Sequence, residues 1–189
     1  MTDQDQIAQY RQAYLGAQER LHALADPLSD DAFNWRSDPR RWSIGECIVH
    51  LNKIGAAYGP VLSDGVARSP AGAGPFRYGW FSRLFIGAVR PGSRAVPTAP
   101  AMKPPRAPGD RSAIDKARAL EGLDRTTDDF VAIVDASAGR DLTAVRVASP
   151  FASVLRLPVG AFLEAMGLHA LRHTGQAERV AAAPGFPAG

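Results

Sequence analysis

Two of the chain's 4 histidines stand one helical turn apart in the stretch "GLHALRHTG", as His169 and His173. At roughly 100° per residue, Phe162, Met166, Ala170, Ala177 and Val180 fall on one side of this segment, and both imidazoles lie within that stripe. An inward-facing imidazole needs partners for two ring nitrogens. Hydrogen bonds to neighbouring core groups could supply them, or one metal ion could satisfy a nitrogen of each ring at once. The zincin arrangement is excluded, because it needs a glutamate directly after the first histidine and Ala170 stands there. A third ligand must come from elsewhere, and His50 is the candidate, flanking the apolar stripe of an earlier helix. Three neutral imidazoles without a carboxylate suit Zn²⁺ or Ni²⁺ better than Mg²⁺ or Ca²⁺. Three protein ligands also leave a position open for water or substrate, as in a catalytic site.

Positioning such residues requires long helices, and the periodicity predicts four. The first runs from about Asp3 to Ala25, with Ile7, Tyr10, Tyr14, Leu21 and Leu24 at three- and four-residue steps. A loop rich in Asp, Pro and Ser follows, "DPLSDDAFNWRSDPRR". The second helix opens at "WSIGECIVHL", where Ser43 and Glu46 have the spacing of a capping box. Its stripe is Ile44, Cys47, Ile48, Leu51, Ile54, Tyr58 and Leu62, and it should stop near Gly65. From Ala67 to Gly109 the composition turns to Pro, Gly, Ala and Arg, with "YGWFSRLFIGAV" as a short helix or lid inside it. A third helix is expected from Ser112 to about Ala138, then an irregular return through "DLTAVRVASPFASVLRL". The fourth starts at Pro158 and ends before Pro184. No repeat and no alternating strand pattern of any length appears. The expected fold is a single all-α domain over residues 1–189, a four-helix bundle with a long crossover insertion (67–109) between the second and third helices.

Composition narrows the function classes. A length of 189 residues with 46% hydrophobic content supports one real core. The net charge of +3 comes from basic residues spread along the chain, with no block of five or six, so no nucleic-acid surface is indicated. The single cysteine, Cys47, excludes an internal disulfide and a cysteine-based zinc site. No apolar run approaches the roughly 18 residues of a membrane span. The polar start, "MTDQDQIAQYRQAYLG", lacks the apolar core of a secretory signal, which makes the cytoplasm the expected location. No phosphate loop, dinucleotide fingerprint or nucleophile elbow is present.

The stretches "FNWRSDPRRWSIGECIVHL" and "HALRHTGQAERV" resemble the DinB superfamily, in its DinB-like group of small four-helix proteins. The resemblance follows element order over nearly the whole chain, and the insertion "FRYGWFSRLFIGAVRPGSRAVPTAPAMKPP" is similar to one found in some members. It implies that His50, at the opening of the second helix, and the pair His169 and His173 are the ligands of a divalent metal. It also implies a chemistry, since relatives include bacterial thiol-dependent S-transferases and a maleylpyruvate isomerase using a thiol cofactor. The expected function is therefore a metal-dependent enzyme of the thiol S-transferase or hydrolase type. Its partner would be a small-molecule substrate such as a low-molecular-weight thiol, with thiolate or hydroxide as nucleophile. The alternative is a non-catalytic ligand-binding or stress-response bundle in which the metal is structural or absent.

Other residues receive plainer readings. His22 lies at the edge of the first helix's apolar face, a marginal neighbour of the site. Cys47 reads as a small hydrophobe, Glu46 as a cap rather than a base, and Trp35 and Trp42 as braces where the second helix begins. Arg172 and Gln176 follow the ligand pair and could approach a substrate, though Arg172 reads first as solvated. Gly160, Gly167, Leu168, Leu171 and Gly175 lie away from the fourth helix's core stripe. Each interior glycine costs about 0.5–1 kcal/mol relative to alanine. Three in one helix suggest close approach either by a neighbouring helix of the same bundle or by the same helix of a second chain, and the resemblance favours the second, a homodimer.

Overall fold

The computed structural model describes residues 3–94, 98–105, 107–109 and 111–187; positions 95–97 and 106 of the predicted insertion lie outside them. Four long helices form the body: α1 (Asp3–Ala25), α3 (Ile44–Ala67), α5 (Lys116–Ala136) and α6 (Val159–Ala181). Shorter pieces are α2 (Asp30–Asn34), α4 (Trp80–Val89) and a 3₁₀ turn at Pro100–Met102. Both α1 and α3 pack against α5 and α6, which closes a four-helix bundle.

Local chemistry sets the ends of these helices. Ser43 Oγ accepts from the backbone N–H of Glu46, and Glu46 Oε2 accepts from the N–H of Ser43, the reciprocal capping box predicted for α3. Asp115 caps α5 through the N–H of Arg118, so this helix begins a turn later than Ser112. Ser29 caps α2, whose Phe33 is buried beneath the start of α3.

Two apolar clusters fill the bundle. One is built around Tyr14, Tyr58, Leu62, Phe130, Phe162 and Leu163. The other gathers Leu21, Phe33, Ile44, Ile48, Leu120 and Ala177. On α3 they meet between Leu51 and Ile54, and on α6 between Met166 and Ala177. His50, His169 and His173 stand at or within these two boundaries, where neither core claims the space.

The return between α5 and α6 differs from expectation. It is an antiparallel hairpin of β1 (Arg146–Ser149) and β2 (Ala152–Pro158), pairing Val147 with Leu157 and Ala148 with Arg156. A register irregularity between Ala148 and Ser149 breaks the period of two, and most of β2 is exposed, so no alternation marks it in the sequence. The described part of the insertion also packs more than its composition suggests. Phe85 packs edge-on against Phe162, with ring centroids 5.6 Å apart, and Ile86 is buried. The short helix expected there forms, but its outer side stays open, with Trp80 and Leu84 78% and 62% exposed.

Candidate metal centre

The three predicted ligands converge. His50 on α3 and His173 on α6 are buried, and His169, one turn before His173, is half-buried. His169 Nε2 lies 3.4 Å from His50 Nε2 and 3.2 Å from His173 Nε2. One ligand nitrogen from each of the three falls within 4.8 Å of the others. A tetrahedral ion with metal–nitrogen bonds of about 2.0–2.1 Å holds its ligand nitrogens about 3.3–3.4 Å apart. Both contacts through His169 match that spacing. Two imidazoles bound to one such ion can be at most about 4.1 Å apart, so a small ring movement would bring in any wider pair.

Tautomer and charge fit the same use. His50 Nδ1–H donates to the carbonyl of Met102 at 2.7 Å, which leaves the Nε2 lone pair aimed at the other two rings. Without an ion, a single proton on His169 Nε2 would have to serve two acceptors on different sides. A cation accepts all three lone pairs. Burial pushes His169 down to about 3, with the charges of His50 and Arg172 acting in the same direction. His173 is held well below the ordinary histidine range, first by burial and then by His169 and His50. Burial also lowers His50, against the opposing bond to Met102. All three imidazoles are thus neutral near pH 7, the state that binds a metal.

Several contributors are not visible in the spacing of the sequence. Trp42 is more than a brace: its ring lies 4.9 Å from that of His50 and 5.6 Å from that of His173, nearly parallel to the latter. The partner of His50 comes from the Pro-rich insertion, which Lys53 also grips by donating to the Lys103 carbonyl at 2.7 Å. Arg172 is not simply solvated. It donates to the carbonyls of Ala88, Arg90 and Arg94 and to Ser93 Oγ, and so fastens the insertion to α6.

The other sequence candidates lie apart from the centre. His22 bonds Asp124 at 2.7 Å and Asp26 at 3.2 Å and does not join the cluster. Cys47 is fully buried, and burial pushes its thiol up, away from the reactive thiolate form. Glu46 caps α3 and is also paired with buried Arg36, and it does not line the cavity over the histidines. Two of the three α6 glycines meet neighbours within the chain, the first of the two readings. A Cβ at Gly160 would meet the Tyr78 hydroxyl and Leu142, and one at Gly167 would lie 3.0 Å from Ala13 Cβ on α1. Gly175 meets only the Arg179 side chain, and Leu171 lines a cavity.

That cavity, of about 1200 Å³, opens onto all three histidines. Besides the histidines and Ser149, its buried wall is apolar, with Ile54, Tyr58, Met166 and Val180. The centre therefore sits where a small molecule can reach it, unlike a closed structural site.

Among the described residues no helix is long and apolar enough to cross a membrane. A family model described as the DinB superfamily matches residues 13–177. No curated protein and no solved structure gives a significant match.

Proposed function

The chain belongs to the DinB superfamily, and on that footing we propose that it is a metal-dependent enzyme of the thiol S-transferase type. His50, His169 and His173 would hold one Zn²⁺ or Ni²⁺. The observation that carries this reading is the convergence of three neutral imidazoles on the wall of a large open cavity. A divalent ion held there supplies Lewis acidity, which favours the deprotonated form of a thiol or of water at neutral pH.

The chain's own residues supply the rest. His50 is fixed by the Met102 carbonyl, so the ring presents Nε2 and not Nδ1. Trp42 packs against the rings of His50 and His173, and the apolar residues of the cavity flank them. Arg172, Lys53 and His50 hold the insertion across the site from two helices.

Transfer of a thiol is favoured over hydrolysis by one feature of the cavity. Among the described residues no carboxylate lines it. A hydrolase of the zincin kind depends on a glutamate base to activate water, whereas a thiol needs only to lose its proton. A purely structural ion is less well supported, because such an ion gains nothing from an open cavity.

The test is a panel of low-molecular-weight thiols with electrophilic acceptors, run on protein of known metal content. Turnover that disappears on chelation and returns with Zn²⁺ or Ni²⁺ supports the proposal; inactivity at full occupancy across the panel favours the non-catalytic alternative. A homodimer and a cytoplasmic location are separate proposals, the first resting on the resemblance. Sedimentation at micromolar concentration tests the first.

A further inference from the structure

The cavity over the histidines is uneven in charge. Its buried lining residues are mostly apolar, whereas Arg40, Arg41, Lys103 and Arg179 line it as exposed residues and Arg172 as a half-buried one. Asp38 is the nearest counter-charge, bonded to Arg40 at 3.2 Å, with its field reaching Arg41. It does not line the cavity. Among the described residues no carboxylate lies within ion-pair distance of Arg41, Lys103, Arg172 or Arg179. The partners of Arg172 are neutral carbonyls and a hydroxyl, which leave its charge uncompensated. Asp38 offsets one of these five cations, so the mouth still carries more positive charge than the chain's net +3.

We propose that this cavity binds a small organic anion, its apolar body against Trp42 and Val180 and its acidic group held by Arg41 and Arg179. Arg179 begins about 9 Å along α6 from His173, at 1.5 Å per residue. A ligand engaging it therefore spans from the histidines to the mouth and carries its charge at the far end from its reacting group. Low-dielectric walls around unpaired cations also concentrate anions from solution. This assigns a substrate class to the site proposed above; it rests on that reading for the reaction but not for binding.

The experiment compares naphthalene-2-carboxylate with naphthalene-2-methanol, probes of equal body that differ in charge. Calorimetric titrations would use the purified full chain, before and after chelation. The expected result is about a tenfold preference for the carboxylate, the scale of one charge-assisted contact. It should persist after chelation and fall to about threefold or less in Arg41→Gln/Arg179→Gln, both exposed positions whose replacement leaves the circular dichroism unchanged. Equal affinities, no binding of either probe at millimolar concentration, or an undiminished preference in the double variant would overturn the proposal. A preference lost on chelation alone would also overturn it, because a metal would then hold the anion, and the metal reading would survive. Preference in a protein that binds no metal would support this inference while defeating the metal reading.

Discussion

The Arg36–Glu46 pair gives a prediction whose size follows from its surroundings. Both side chains are 0% exposed. Arg36 Nη2 donates to Glu46 Oε1 at 2.6 Å and Nε to Oε2 at 2.8 Å, while Oε2 also accepts from the N–H of Ser43. Arg36 Nη1 reaches the carbonyls of Ala107 and Gly109, so the pair ties the start of α3 to the end of the insertion. In Glu46→Gln the shape is retained, but the guanidinium is left buried without its counter-charge. Removing one partner of such a pair costs about 3–5 kcal/mol, a large part of the roughly 5–15 kcal/mol that holds a domain together. For a chain of this length the melting temperature should fall by about 6–20 °C. Urea unfolding followed by circular dichroism reads it directly. Arg36→Met/Glu46→Gln should cost less than the sum of the single changes, because no charge is stranded. A loss below about 1 kcal/mol in Glu46→Gln, the scale of an exposed pair, would refute the reasoning.

Three further outcomes follow. Gly167→Ala should destabilise by about 1 kcal/mol, as overpacking of about 1–3 kcal/mol against Ala13 outweighs the gain in helix propensity; an equilibrium denaturation curve decides it. Arg172→Ala should accelerate hydrogen exchange at residues 88–94 without unfolding the helices, since its bonds to that segment are lost. His22 is raised above its ordinary value: burial opposes this, but the bonds to Asp124 and Asp26 prevail. Its stabilising contribution is therefore full below about pH 6.5 and fades as pH rises through the folded value, so His22→Gln should lose stability at pH 6 and lose less at pH 9.

The parts of the fold that were legible in the sequence are those governed by local spacing. The Ser43–Glu46 box and the stripe from Ile44 to Leu62 specify α3 within one stretch of chain. His169 and His173 sit in a helical stripe that could be counted. The hairpin escaped because a bulge and an exposed second strand erase its period. The glycines of α6 left two partners open because a helical wheel shows only which side lacks the core stripe, whereas the fold shows the first half of α6 enclosed by α1, Tyr78 and Leu142 as well. Arg36 lies in the loop rich in Asp, Pro and Ser, and only the tertiary fold places it beneath the start of α3. Trp42, the Met102 carbonyl and the basic mouth are likewise contacts between distant segments, which no spacing encodes. The identity of His50 as third ligand lay between these cases: the stripe offered it, and the fold brings it to the pair.

The central claim is most directly tested by metal content. The chain would be purified without an affinity metal column, supplied with Zn²⁺ or Ni²⁺, dialysed, and measured by elemental mass spectrometry beside His50→Ala and His173→Ala. The account predicts about one ion per chain in the unaltered protein and loss of stoichiometric binding in both variants, with their helical circular dichroism retained. A metal-free unaltered protein, or variants that keep their ion, would contradict it.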